Sequence, residues 1–93
     1  MYVIAVYDIS TKSSTGQSRL NKTMKTFRKY LHHTQFSVFE GEISKAKLTG
    51  LYKELERIVN KAEDQIKFFI IPNKNNLKKR VMGIQFDAES SII

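Results

Sequence analysis

The sequence predicts a small α+β sandwich, with two helices packed on one face of a sheet. Three observations predict it. Apolar runs at 2–7 and 66–71 have the residue types of strands, and stretches at 20–31 and 48–59 carry apolar residues at helical spacing. Strand-like and helix-like stretches follow one another in alternation. A chain of 93 residues has room for one domain only.

Taken in order, Tyr2-Val3-Ile4-Ala5-Val6-Tyr7 is a near-continuous run of β-formers, which predicts a central strand buried on both faces. Ser10 to Gly16 reads as a loop. Leu20, Met24, Phe27 and Leu31 then form one narrow apolar stripe. Arg19, Lys22, Lys25, Arg28 and Lys29 fall on the opposite half of the wheel, so the predicted helix shows solvent a basic face. From His33 to Ile43 the pattern turns to strand: Phe36 and Val38 point one way, and Gln35, Ser37 and Phe39 the other. Glu40-Gly41 is the natural place for a bulge or turn, and the segment reads equally as one bent strand or two short ones. Ser44 is placed to cap a second helix, whose Leu48, Leu51, Tyr52, Leu55, Ile58 and Val59 make another stripe. Residues 66–71 form an apolar strand closed by Pro72, and 81–86 a short final strand.

This order is that of a ferredoxin-like βαββαβ sandwich with an extra C-terminal strand. Residues 1–93 read as a single domain, with a core to about residue 71 and a linker and terminal strand over 72–93. The second face of such a sheet is bare. Phe39, Phe68 or Phe69, and the terminal strand are available to cover it, and a two-fold dimer, sheet against sheet, is the economical solution.

Sixteen Lys+Arg against nine Asp+Glu give a net charge of +7. The charge is segregated. No acid stands between Asp8 and Glu40, where Lys12, Arg19, Lys22, Lys25, Arg28 and Lys29 lie; a second acid-free stretch, 65–86, holds Lys67, Lys74, Lys78, Lys79 and Arg80. A one-sided positive potential points to a polyanionic partner. The absence of cysteine excludes disulfide frameworks, thiolate nucleophiles and zinc–thiolate sites. The apolar opening ends at Asp8 and has no basic lead, so neither a signal peptide nor a membrane span is expected, and the expected location is cytoplasmic. No glycine-rich phosphate loop is present, which excludes P-loop hydrolysis.

Asp8 follows the first apolar run and should sit at the carboxyl end of a central strand, where ligand sites cluster. Two roles fit it: a turn-capping carboxylate helped by Ser10 and Thr11, or a ligand to a divalent cation. One carboxylate is too few for a hydrolytic metal site, and a two-fold axis near the strand ends would bring a second Asp8. His32-His33 make poor joint ligands because adjacent side chains diverge, and they read as a partly exposed loop near phosphate. The basic helix face is either an ordinary solvated surface or a nucleic-acid contact; the lack of i,i+4 acids favours the contact. Lys78-Lys79-Arg80 suits phosphate or a partner's acids. Tyr2, Tyr7, Phe36 and Phe39 are mostly core or interface residues. Asn21-Lys22-Thr23 matches a glycosylation sequon but lies in a predicted helix.

Two segments together resemble a known family. Residues 1–10, ending Tyr7-Asp8-Ile9-Ser10, look like its first strand, and Gln35-Phe36-Ser37-Val38-Phe39-Glu40-Gly41-Glu42 is similar to its Gln-x-Ser-Val-Phe-Glu-Gly-Glu/Asp segment. The family is that of the second CRISPR-associated protein (Cas-Two), and the resemblance spans residues 1 to about 71. It implies a ferredoxin-like homodimer in which the C-terminal strand is swapped or added across the two-fold axis. It also implies that Asp8 of both chains is catalytic and shares a Mg²⁺ or Mn²⁺ at that axis. The implied activity is a metal-dependent endonuclease on RNA or duplex DNA. The implied partner is the CRISPR adaptation integrase, the first CRISPR-associated protein, for which the dimer is the central scaffold during spacer capture. Tyr7, Asp8, Arg19 and Phe39 match the family's functional positions, with Ser10 following. Gln17 and His33 stand where many members have arginine, departures that bear on cleavage more than on binding. Outside the resemblance, the residues also suit a small ferredoxin-like RNA-binding regulator or a toxin-type ribonuclease unrelated to CRISPR.

Overall fold

Val3, Ala5 and Tyr7 are buried, whereas Tyr2, Ile4 and Val6 between them are only half-buried. The first strand, β1 (Tyr2–Asp8), therefore has one face in the core and one open face, and is not buried on both as its apolar run predicts. The computed structural model describes residues 1–84. Its elements are β1, α1 (Gly16–Arg28), β2 (His32–Gln35), β3 (Val38–Glu42), α2 (Lys45–Glu56) and β4 (Gln65–Ile71), followed by a 3₁₀ turn at Lys74–Asn76. The sheet order is β2-β3-β1-β4, and β1 runs antiparallel to both neighbours. The ferredoxin-like βαββαβ expectation holds for this part of the chain.

The 33–43 segment is two short strands. The chain turns at Phe36-Ser37, and the irregularity lies between His33 and Gln35. Glu40-Gly41, predicted as the bend, is regular β3 paired with Ile4 and Val3. Backbone bonding explains the choice: the Tyr7 N–H donates to Ser37 O at 3.0 Å and the Tyr7 hydroxyl to Phe36 O at 2.5 Å. A turn without Gly, Pro or Asn is thereby held by the end of β1.

The core is an aromatic stack extended by α2. Phe27 lies 5.0 Å from Phe39 and 5.7 Å from Tyr7, ring centre to ring centre. Leu48, Leu51 and Leu55 come in from α2. Each such side chain contributes about 1.5–3 kcal/mol of burial. Ser44 caps α2 as predicted, accepting the Lys47 N–H at 3.2 Å. That helix ends at Glu56, so Ile58 and Val59 lie beyond it, both half-buried.

Two expectations for the inner and outer faces are corrected. The buried residues of α1 are Gly16, Arg19, Thr23, Thr26 and Phe27, while Leu20 and Met24 are only half-buried. Arg19 thus faces inward and not to solvent, because its charge partners sit below the helix. Phe39 and Phe68 face the helices, so neither covers the open face; Phe69, paired with Ile4, is on it and 53% exposed.

Residues 81–84 form no strand. Val81, Met82 and Ile84 join Lys79 and Arg80 in lining a cleft of about 410 Å³ against Ile4, Val6, Val38 and Glu40. The remainder of the predicted terminal strand, and so its exchange across a dimer, lies outside the described residues.

Candidate metal and nucleic-acid site

Asp8 is the last residue of β1, paired with Gln65 of β4. Tyr7 and Ile9 on either side are buried, so strand alternation turns Asp8 outward, and its side chain is exposed. Among the described residues its carboxylate takes no hydrogen bond and no ion pair, which leaves the capping role without a partner. Nor do the described residues hold a group of three or more His, Cys, Asp or Glu able to bind a metal. Among the described residues, Asp8 is the one uncommitted carboxylate at this strand end.

Behind Asp8 the backbone is pinned. The Ser10 N–H donates to Asp64 Oδ1 at 3.0 Å, and Ser10 O accepts from an Arg19 guanidinium nitrogen at 3.2 Å. Arg19 reaches Asp64 with Nε at 2.8 Å, Glu63 at 3.3 Å and the Thr15 hydroxyl at 2.6 Å. The Asp64 side chain is 1% exposed. Burial alone would push its carboxyl up; the Arg19 hydrogen bonds and the N–H groups of Asn60 and Ser10 outweigh that and hold it below the usual range. The Arg19 pKa moves up, held charged chiefly by its hydrogen bond to Asp64. Gly16 completes the fit: a Cβ there would lie 2.1 Å from Ser10 O, so only glycine lets α1 start against this loop.

Tyr7 and Phe39 are core residues. Burial raises the Tyr7 pKa, and its hydroxyl is engaged by Phe36 O. His32 and His33 lie in β2, not in a loop; the His33 ring stacks on Phe39 at 4.3 Å, and Nε2 lies 3.1 Å from Phe36 O.

The predicted basic residues divide into two groups. Lys12, Lys22, Lys25, Arg28, Lys78 and Arg80 are exposed and engage no carboxylate among the described residues. Arg19, Lys29 and Lys79 are committed elsewhere. Lys29 pairs with Glu54, which also accepts from Tyr30, and so ties α1 to α2. Lys79 donates to Glu40 at 3.0 Å. Glu40 is buried on the open face and also accepts from Tyr2 at 2.7 Å and Thr34 at 2.8 Å. Burial pushes its carboxyl up, and the three hydrogen bonds more than offset this and lower it. The Tyr2 hydroxyl, buried beside that carboxylate, is pushed up to about 12.

Asp64, Glu63 and Asn60 were not legible as members of the site. The available hint was the helical spacing of Arg19, Thr23 and Thr26, which repeat at i, i+4 and i+7 on one face.

The family model for CRISPR associated protein Cas2 matches residues 1–79, which carry Asp8 and its entire support. The chain belongs to this family. It is 40% identical over 93 residues to a CRISPR-associated endoribonuclease Cas2 of Dictyoglomus turgidum, covering 100% of both chains. A second relative, CRISPR-associated endoribonuclease Cas2 3 of Thermodesulfovibrio yellowstonii, is 37% identical over 99% of this chain and 98% of its own. Among solved structures, a Cas2 crystal structure 40% identical superposes with a TM-score of 0.77, covering 100% of this chain and 98% of that one. Streptococcus pyogenes Cas2 superposes with a TM-score of 0.73 at 26% identity, over 88% of this chain and 100% of its own. Membership in the Cas2 family sets aside the alternative of a regulator or toxin unrelated to CRISPR. The family match also runs past residue 71, taking in Lys79 and its contact with Glu40. No helix among the described residues is long and apolar enough to cross a membrane.

Proposed function

We propose that this chain is a CRISPR adaptation protein that works as a homodimer, binding duplex DNA or RNA and cleaving nucleic acid with a divalent cation held by Asp8 of both protomers. The observation that carries the reading is Asp8 itself, an exposed carboxylate on a pinned strand end with no partner among the described residues. The donor chemistry fits a hard cation, since carboxylate oxygens, waters and phosphate oxygens suit Mg²⁺ or Mn²⁺. A second Asp8 across a two-fold axis supplies a further carboxylate, which the described residues of one chain do not.

When bound, such an ion supplies charge stabilisation at the scissile phosphate and an activated water. The chain's own residues do the rest. Asp8 offers its oxygens at a fixed place because Tyr7 and Ile9 anchor both sides. Exposed Lys12, Lys22, Lys25 and Arg28 draw the phosphate backbone toward α1, and Lys78 and Arg80 add charge from the tail. The apolar open face of Ile4, Val6, Val38 and Phe69 supports pairing with a second copy. The names of the relatives, CRISPR-associated endoribonucleases, favour RNA as a cleavage substrate.

The same dimer serves as the scaffold for the adaptation integrase. The test is one preparation used twice: cleavage of labelled single-stranded RNA and duplex DNA with Mg²⁺ or Mn²⁺, and capture of the purified integrase on duplex. Asp8→Asn should abolish cleavage and retain capture. Undiminished cleavage by that variant removes the nuclease reading; loss of capture by wild type removes the scaffold reading.

A further inference from the structure

Asp64 lies 56 residues from Asp8 in sequence, yet the two adjoin the same short stretch of backbone, because Asp8 pairs with Gln65 at the β1–β4 end. Beyond Asp8 the chain leaves the sheet. Ile9 is buried, and the Ser10 backbone lies beyond the ladder and must find its partners elsewhere. Both of its backbone groups do so in one place: the N–H on Asp64 and the carbonyl on Arg19. Arg19 is in turn oriented by Asp64 through both carboxylate oxygens, at 2.8 and 3.2 Å. The Gly16 contact with Ser10 O closes the remaining side.

We infer that Asp64, acting through Arg19 and the Ser10 backbone, is a positioning residue that sets where the Asp8 carboxylate points. The inference rests on the reading of Asp8 as a metal ligand and adds a residue to it. A strand end held by its ladder on one side only would let Asp8 sample several directions. Two charge-assisted bonds to Ser10 remove that freedom, and a ligand fixed in advance binds its cation without an ordering cost. As a positioning residue Asp64 touches neither metal nor substrate; its effect is on the segment that does.

The test compares wild type with Asp64→Ala in the full-length protein, by two readouts. Native-state amide exchange reports the Ser10 N–H, which should exchange faster by roughly tenfold or more when a charge-assisted hydrogen bond is lost. The Val3 and Ala5 amides should keep their protection. Cleavage at varied Mn²⁺ should need roughly tenfold more metal for half-maximal rate, with kcat at saturating metal within about threefold of wild type. Gly16→Ala, which displaces Ser10 without touching a charge, should produce the same split. If Asp64→Ala fails to fold, Asp64→Asn carries the test, because it keeps an oxygen for the Ser10 N–H and loses the charge that orients Arg19. A folded Asp64→Ala with unchanged Ser10 exchange overturns the inference. In Asp64→Asn, which keeps that acceptor, an unaltered metal requirement overturns it, and in either variant so does a loss of kcat at unaltered metal requirement. If Asp8→Asn cleaves like wild type, the metal reading fails, and the Ser10 exchange result alone then decides whether Asp64 positions this segment.

Discussion

The Arg19 guanidinium grips both oxygens of Asp64, which is almost fully buried, with Nε on Oδ2 at 2.8 Å and a terminal nitrogen on Oδ1 at 3.2 Å. The pair joins the second turn of α1 to the entrance of β4 across the loop that follows Asp8. A basic residue that counts toward the +7 charge is thereby withdrawn from the surface.

Substitution should separate this arginine from its neighbours. Lys22→Ala and Lys25→Ala remove exposed charges, so each should weaken duplex binding similarly for all sequences and reduce the slope of log affinity against log salt by about one. Their melting temperatures should stay near wild type. Arg19→Ala should lower the melting temperature, since it strands a buried carboxylate. Thermal melts and salt-titrated binding on the same preparations check both statements.

Acid should weaken the fold through Asp64 and Glu40. Both carboxyls lie below their usual values in the folded chain. Their contribution is complete above the unfolded carboxylate value of about pH 4, and it is lost as pH falls through the lower folded values. Denaturant unfolding from pH 6 downward should show this decline, and it should be shallower in Asp64→Asn.

The alkaline limb belongs to Tyr2. Its hydroxyl is raised from 10.0 to about 12 beside Glu40. Folding stability from this group is intact below about pH 10 and disappears as pH climbs toward 12. Tyr2→Phe should flatten that limb in a pH series of unfolding curves.

Core truncation gives a scale for these effects. Phe27 is fully buried between Tyr7 and Phe39. Phe27→Ala should cost about 3–5 kcal/mol in denaturant unfolding, against less than about 0.5 kcal/mol for the exposed Lys25→Ala.

Much of the fold was legible because it rests on local periodicity. The β1 run, the Ser44 cap with its leucine stripe, and the apolar 66–71 segment each carry their own pattern. What escaped depends on partners distant in sequence. The phase of α1 turns on Arg19, whose acid lies 45 residues away. Glu40 looks like an exposed turn acid until Tyr2, Thr34 and Lys79 arrive from three separate segments. The hairpin at Phe36-Ser37 has no Gly, Pro, Asn or Asp to announce it and is held by Tyr7. Asp8 was legible as the carboxyl end of a central strand, but its outward direction was not, because the apolar run before it reads as buried on both faces. The loop behind it was not, because its anchors come from α1 and from the approach to β4.

In the proposed function two Asp8 side chains share one divalent cation. Titration of the purified dimer with Mn²⁺, followed by electron paramagnetic resonance of the free ion, tests it directly. The expected result is one bound ion per two chains, lost in Asp8→Asn while the dimer persists. Binding of equal strength and stoichiometry in Asp8→Asn would contradict it.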